Sequence, residues 1–344
     1  MVWLYAGFVL FVMLMLALDL GVVNRGHKEV RARDALAFTL ICVVLALAFN
    51  VLVYFIYENH WFGIGIEQVT QSDGTVIEKH LSGWEASIQF LTGWMLEYSL
   101  SLDNIFVIAV IFGYFRVPPR YQHRVLFWGI LGALLMRGVM IGLGAVLIDT
   151  FSWIIYVFGG LLIITAVKML ISQDESPHPE NNPLVRIAQR LYPVTPDFEE
   201  ERFFSKLNGR TAITPLFLCL LVIESTDVLF AIDSIPAIFV ITKEPFIVFT
   251  SNVFAILGLR SMYFALSAAI EKFKYLKSSL SFVLAYIGVK MLISDFYHIP
   301  IPVTLGVIAG TMVVGVIASI VAARNEARKA EAPAAPPTQF ESAD

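Results

Sequence analysis

Long apolar runs broken by short polar ones recur from the second residue of the chain to beyond residue 320. A bilayer core about 30 Å thick is crossed by about 20 apolar helical residues, because each adds about 1.5 Å along the axis. Runs of that length predict an all-α polytopic membrane protein with nine spans. They fall at 2–23, 35–57, 87–115, 124–148, 151–172, 212–241, 246–270, 278–296 and 301–323. The first run has no basic segment ahead of it and no small-residue cleavage site after it, so it reads as a retained span rather than a signal peptide.

Residues 1–323 are thus expected to form one membrane domain with three stretches outside the bilayer. Stretch 58–86 is acidic and holds Asp73-Gly74 between strand-like runs, which predicts a β-hairpin. Stretch 173–211 carries five prolines and mixed charge and predicts a short helix with extended flanks. Stretch 324–344, rich in Ala, Pro and Glu, predicts a disordered tail.

Composition narrows the class further. The chain is 58% hydrophobic and 15% charged, with a mean hydropathy of +0.74. Soluble domains run at about 25% charged residues, so a soluble globular enzyme is excluded. The lipid bilayer is the expected partner and nucleic acid is not. Cys42 and Cys219 lie in apolar stretches and predict neither a disulfide framework nor a zinc site.

The position of the basic residues predicts orientation. Of 24 Lys and Arg, 18 fall on one set of alternate loops and the tail, among them Arg25, Arg33, Arg116, Arg124, Arg186, Arg210, Lys272 and Arg324. The opposite set holds Lys79 and Lys243 alone. This places the N-terminus outside and the C-terminus in the cytoplasm.

The chain also repeats itself. Val-Lys-Met-Leu-Ile-Ser occurs at 167–172 and again at 289–294, an offset of 122. Met136-Arg137-Gly138 matches Leu259-Arg260-Ser261, and the stretch from Glu97 to Asp103 and Asn104 matches that from Asp227 to Asp233 and Ser234. Spans 3–5 (about 87–172) therefore repeat as spans 6–8 (about 212–296). Three is an odd number, so the second copy enters the membrane from the opposite side. Inverted repeats of this kind characterise transporters, with the substrate site near the midplane between the copies.

The four remaining basic residues lie inside spans. Lys168 and Lys290 are near span ends and are expected to extend to the interface, whereas Arg137 and Arg260 are near span centres. Glu97 and Asp103 in span 3, and Glu224, Asp227 and Asp233 in span 6, are central too. Each ionised group at the bilayer centre costs roughly 2.5–3.5 kcal/mol. Five acids are hard to account for by packing, and pairing with two arginines would satisfy two of them. Glu224 and Asp227 share a helix face, as do Glu97 and Asn104, while Asp103 and Asp233 are turned away by about 120°. Pro236 removes an amide and crowds the carbonyl of Ile232. It predicts a helix that kinks or unwinds over 233–236 and frees carbonyls for the site.

The candidate ligands are hard oxygens: the five carboxylates, Asn104, and hydroxyls including Ser234. Histidine is absent from mid-span, and Cys219 is the one thiol near span 6. Such a set suits Mg²⁺, Mn²⁺ or Ca²⁺ rather than zinc or copper. Five carboxylates against two arginines leave a negative surplus that one divalent ion does not cancel, which points to a proton as a second partner.

The acidic stretch beginning at Glu97, and Glu224-Ser-Thr-Asp-Val-Leu-Phe-Ala-Ile-Asp-Ser-Ile-Pro-Ala, resemble the paired signatures of the TerC family, close to its Alx-type bacterial members. Ser251-Asn-Val-Phe-Ala-Ile-Leu-Gly-Leu-Arg260 and Lys290-Met-Leu-Ile-Ser-Asp-Phe-Tyr-His-Ile-Pro300 fit the same pattern. The resemblance spans about residues 5–322. It implies a bacterial inner-membrane protein of a family named for tellurium resistance and associated with manganese export, with the five acids as its functional residues.

The expected function is a secondary exporter, not an enzyme and without a prosthetic group. It would move a divalent cation, Mn²⁺ on the strength of the resemblance, from cytoplasm to periplasm. Glu97, Asp103, Asn104, Glu224, Asp227, Asp233 and Ser234 would hold the metal, with Arg137, Arg260 and Pro236 balancing charge or gating. The rival reading is a non-transporting membrane partner that binds metal and supplies it to exported enzymes. An intramembrane aspartyl protease would need a Gly-Asp context that Asp103 and Asp233 lack.

Overall fold

The computed structural model describes residues 2–23, 32–70, 76–151, 153–171, 182–207, 209–266 and 275–331. Helices α1 (Val2–Val23) and α2 (Ala32–Glu58) lead to strands β1 (Ile66–Thr70) and β2 (Val76–His80), which pair antiparallel. The expected hairpin is therefore present, and its Asp73-Gly74 turn lies outside the described residues. Helices α3 (Gly83–Phe115), α4 (Pro119–Thr150) and α5 (Ile154–Ile171) follow.

Helix boundaries follow local chemistry. Ser82 and Glu85 close a capping box at the start of α3, the Ser82 hydroxyl accepting from the Glu85 amide at 3.2 Å. Arg116, at a φ of 53°, ends that helix. Pro119 opens α4 in its first turn, where a missing N–H costs nothing.

The stretch after α5 holds more structure than its sequence suggested. A short helix, α6 (Pro183–Leu191), is present as expected, but strands β3 (Phe204–Leu207) and β4 (Arg210–Ile213) form a second antiparallel hairpin. The Asn208-Gly209 dipeptide between alternating residues is a strong hairpin signal that could have revealed it. Gly209 takes a φ of +77°, a conformation open to glycine at no steric cost.

The second half comprises α7 (Pro215–Phe239), α8 (Pro245–Leu257), α9 (Leu259–Leu266), α10 (Leu276–Leu292) and α11 (Ile301–Glu331). Two expectations need correction here. Helix α7 does not unwind over 233–236; it runs unbroken through Pro236 despite the lost amide bond to Ile232, its buried stretch 234–239 being held by packing against neighbouring helices. The interruption falls instead at Gly258, between α8 and α9, two residues before Arg260. Helix α11 also continues to Glu331, beyond the expected start of a disordered tail; 332–344 lie outside the described residues.

Seven of these helices are long and apolar enough to cross a membrane, α8 and α9 together counting as one. Helix α1 and the 17-residue α10 occupy the other two places expected from the sequence. The chain is thus all-helical and polytopic, with seven to nine candidate spans.

Packing pairs the helices in a regular way. Helix α3 lies against α8, α7 lies against α4, and α5 lies against α10, while α11 covers parts of α3 and α10. At the α5–α10 seam the backbones approach closely: a Cβ on Gly288 would lie 2.9 Å from the Gly159 carbonyl oxygen. Small residues allow such approach between membrane helices, where van der Waals contact replaces the hydrophobic effect as the driving force. The α8–α9 span is enclosed by the others, with 94% of its most apolar window buried against 17% for α5.

The two ends of the bundle differ. At one, Leu81, which follows the β1–β2 hairpin, packs in the cluster of Tyr57, Ile64 and Phe90. At the other, Val185 and Ala188 of α6 and Ile213 of β4 pack with Val117, Tyr121 and Leu216. Asn182 caps α6 through its Oδ1, and its Nδ2 donates to the Ser225 hydroxyl on α7 at 2.5 Å.

Candidate functional site

Four helices meet at mid-length around one guanidinium. Arg137, near the middle of α4 and 2% exposed, donates from Nη2 to Asp227 Oδ1 at 3.0 Å and from Nε to Asp227 Oδ2 at 3.3 Å. This is the two-pronged fork that makes arginine–carboxylate pairs directional. Its Nη1 donates to Glu97 of α3, which is 1% exposed, and to Asn252 Oδ1 of α8 at 3.2 Å. Asn252 is fixed in turn, its Nδ2 donating to the Val248 carbonyl at 3.1 Å. One arginine thus satisfies two acids, where the sequence suggested that each arginine would pair with one.

The two carboxylates are matched positions of the internal repeat. Glu97 and Asp227 come from opposite halves of the chain yet converge on the same cation. Burying three ionised groups away from water is tolerable only with this degree of pairing, because desolvation of each is costly.

The other candidates are distributed around this centre. Glu224, one turn before Asp227 and half-buried, lies against Gly132 of α4, where any side chain would overlap its carboxylate. Asp233, also half-buried, accepts from the Thr165 hydroxyl of α5 at 3.1 Å. Asp103 is half-buried, six residues from Glu97 and off its face, as the helix period requires.

Asn104 and Ser234 are 4% and 2% exposed. Among the described residues, Asn104 Oδ1, Ser234 Oγ, Ser101 Oγ and Glu97 Oε2 have no hydrogen-bond partner. Each is a hard oxygen, and a buried polar atom without a partner is costly. As the side chains stand, no three of the described His, Cys, Asp and Glu residues gather into a metal cage.

A narrow cavity of about 30 Å³ adjoins the cluster. That is room for one or two waters or a small ion. Asn104, Thr226, Asp227 and Arg260 line its polar part, and Ile108, Ile223 and Phe230 are among its apolar walls. Arg260, 2% exposed, therefore belongs to the cavity wall.

Sequence reasoning missed Asn252, Thr165 and Gly132. Asn252 was legible as an amide in an apolar span, within the stretch that carries the family resemblance. The lysines divide: Lys168 is exposed, as expected, but Lys290 does not reach the interface. It is 6% exposed and donates to the Thr304 hydroxyl of α11 at 2.8 Å, because α11 covers that face of α10.

Buried ionisable groups at the middle of a helical bundle with lipid-length apolar spans define a polytopic membrane protein with an intramembrane polar site. The profile of the Integral membrane protein TerC family matches residues 82–329, and the chain belongs to that family. It is 48% identical over 322 residues to the uncharacterized membrane protein STKORF319 of Myxococcus xanthus, covering 94% of this chain and 93% of the relative. It is 43% identical over 311 residues to the "Putative membrane-bound redox modulator Alx" of Escherichia coli K12, covering 90% and 92%. An uncharacterized membrane protein of Rickettsia bellii is 38% identical over 307 residues, covering 89% and 93%. No solved structure matches the chain.

Proposed function

We propose that this protein is a secondary exporter of divalent metal cations, with Mn²⁺ as its substrate, working by alternating access at a midplane carboxylate site. The observation that carries the reading is the convergence of Glu97 and Asp227 at mid-span, on helices from the two matched halves of the chain. Asp233, Glu224, Asn104 and Ser234 surround that point with further hard oxygens, the donor type preferred by Mn²⁺ and Mg²⁺ over zinc or copper. Mn²⁺ is selected by the family resemblance, since the donors alone specify only a hard cation.

Inverted repeats fit the packing. Exchanging α3 with α7, α4 with α8 and α5 with α10 turns the α3–α8 contact into the α7–α4 contact and leaves the α5–α10 contact unchanged. That is the pattern two halves related by an in-plane pseudo-two-fold axis would give. The bias of Lys and Arg puts the end bearing α6 and the β3–β4 hairpin in the cytoplasm and the β1–β2 hairpin in the periplasm. The cavity beside Asp227 then lies on the cytoplasmic side of the acid pair, walled by residues that pack with that cap. Protons are the expected coupling ion, because the carboxylates outnumber the charge of one divalent cation. The redox modulation in the name of the Alx relatives finds no bridged pair here: Cys42 and Cys219 are buried on separate helices, α2 and α7, and form no disulfide.

The test is Mn²⁺ flux in proteoliposomes holding the full chain, beside Asp227→Asn and Asp233→Asn variants of verified fold. Flux in the wild type that falls to background in both variants supports the exporter. Binding without flux in the wild type favours the metal-supplying partner. Neither binding nor flux removes the cation reading.

A further inference from the structure

Arg137 and a divalent cation need the same oxygens. The guanidinium takes both oxygens of Asp227 and one oxygen of Glu97, so that only Glu97 Oε2 of this pair is without a partner. A cation held by Glu97 and Asp227 would have to share those oxygens with a fixed positive charge a few ångströms away, and in a buried site that repulsion is poorly screened. We infer that Arg137 is a tethered competitor of the transported cation: it vacates the carboxylate pair when the ion enters and reclaims it to drive the ion out. The inference rests on the cation-export reading and adds the device that sets affinity and release at that site.

Three features favour exchange over a permanent ion pair. The arginine is on α4, whereas its acids are on α3 and α7, so relative movement of helices changes its reach without altering any acid's own backbone. Asn252 Oδ1 gives the guanidinium a neutral acceptor, held in place by the Val248 carbonyl, so a hydrogen-bond partner remains when the carboxylates are given up. The partnerless oxygens Glu97 Oε2, Ser101 Oγ and Asn104 Oδ1 all belong to the helix that carries Glu97. An ion coordinated there would satisfy groups that Arg137 leaves unmet.

The consequence is a pair of acids that is never left bare in the bilayer core. It is neutralised by the arginine between cycles and by the cation during them, which lowers affinity to a level that permits release. Without the arginine the pair would bind the ion tightly and let it go slowly.

The experiment measures Mn²⁺ binding to the purified full chain and Mn²⁺ flux in proteoliposomes, using wild type, Arg137→Gln, Asn252→Leu and the double variant Arg137→Gln/Asp227→Asn. The expected result is a Mn²⁺ affinity raised about tenfold or more in Arg137→Gln, with flux reduced because release has become slow. Asn252→Leu keeps every charge but takes away the neutral acceptor that the displaced guanidinium needs, and should lower affinity by a smaller factor. The gain should vanish in the double variant, which lacks one of the contested carboxylates. If wild type binds and moves Mn²⁺ while Arg137→Gln binds it equally or more weakly, Arg137 is a fixed counter-ion and the inference fails with the exporter intact. Should Arg137→Gln not fold, Asn252→Leu decides: lowered affinity supports the competitor, and affinity unchanged or raised overturns it. A wild type that neither binds nor moves Mn²⁺ overturns the cation reading, and the competitor role goes with it.

Discussion

Lys168 and Lys290 occupy the same place in two copies of the word Val-Lys-Met-Leu-Ile-Ser, at the ends of α5 and α10, yet one is exposed and the other is 6% exposed. The difference comes from α11, which has no counterpart beside α5 and lies over the Lys290 face of α10. The acids show the same divergence. Asp233 receives a hydroxyl from Thr165 of α5, whereas the residue of α10 that matches Thr165 is Ile287, fully buried and unable to donate. Glu97 and Asp227, by contrast, keep equivalent roles because both face the central α4 and its arginine. The matched arginines differ as well, Arg137 pairing with both acids and Arg260 lining the cavity, so matched positions in the sequence take different roles once their neighbours differ.

The seam between the halves should be the most sensitive point of this arrangement. Gly288→Val would press its side chain on the Gly159 carbonyl and on Ile163, whose backbone cannot yield. A loss of about 3 kcal/mol is expected, at the upper end of overpacking effects, read as the midpoint of denaturant unfolding in micelles. Gly160→Val, with open space around it, should leave that midpoint nearly unchanged. An equal response at both glycines would show that α5 and α10 do not touch as described.

Thr165→Ile copies the residue of the second half into the first. It removes the hydroxyl from Asp233 and should cost about 2 kcal/mol, the range for a hydrogen bond to a charged acceptor. Mn²⁺ flux should also fall if the orientation of Asp233 matters to transport. The smallest effect is expected at the lysines. Lys290→Met replaces a buried ammonium that has one hydroxyl partner by an apolar chain of similar length, and should stabilise by about 1 kcal/mol. Lys168→Met should stay within about 0.5 kcal/mol of wild type. Stabilisation at Lys168 instead would mean that α5, not α10, is the covered helix.

Much of this molecule was legible along the chain. Nine apolar runs correspond to helices in the structure, and the hairpin around Asp73-Gly74 has its strands where alternation put them. Pro236 misled because its effect depends on surroundings: neighbouring helices pack around the buried stretch 234–239 and keep the helix whole despite the missing amide bond. The β3–β4 hairpin was overlooked although Asn208-Gly209 marks it, since the prolines of that loop outweighed a local turn signal.

Sequence alone determined the spans, the acids that lie within them and the membership of the TerC family. Each of these follows from rules that act locally: a bilayer demands an apolar run of fixed length with its backbone bonds closed internally, and a signature is read residue by residue. Tertiary structure alone decided that one arginine serves Glu97 and Asp227 together, that Asn252 holds it from α8, and that Lys290 is covered. In a soluble helix, periodicity reveals which face turns inward, because water rewards polar residues on the other. In lipid both faces are apolar, so the inward face is chosen by neighbouring helices far away in sequence, and only their packing discloses it.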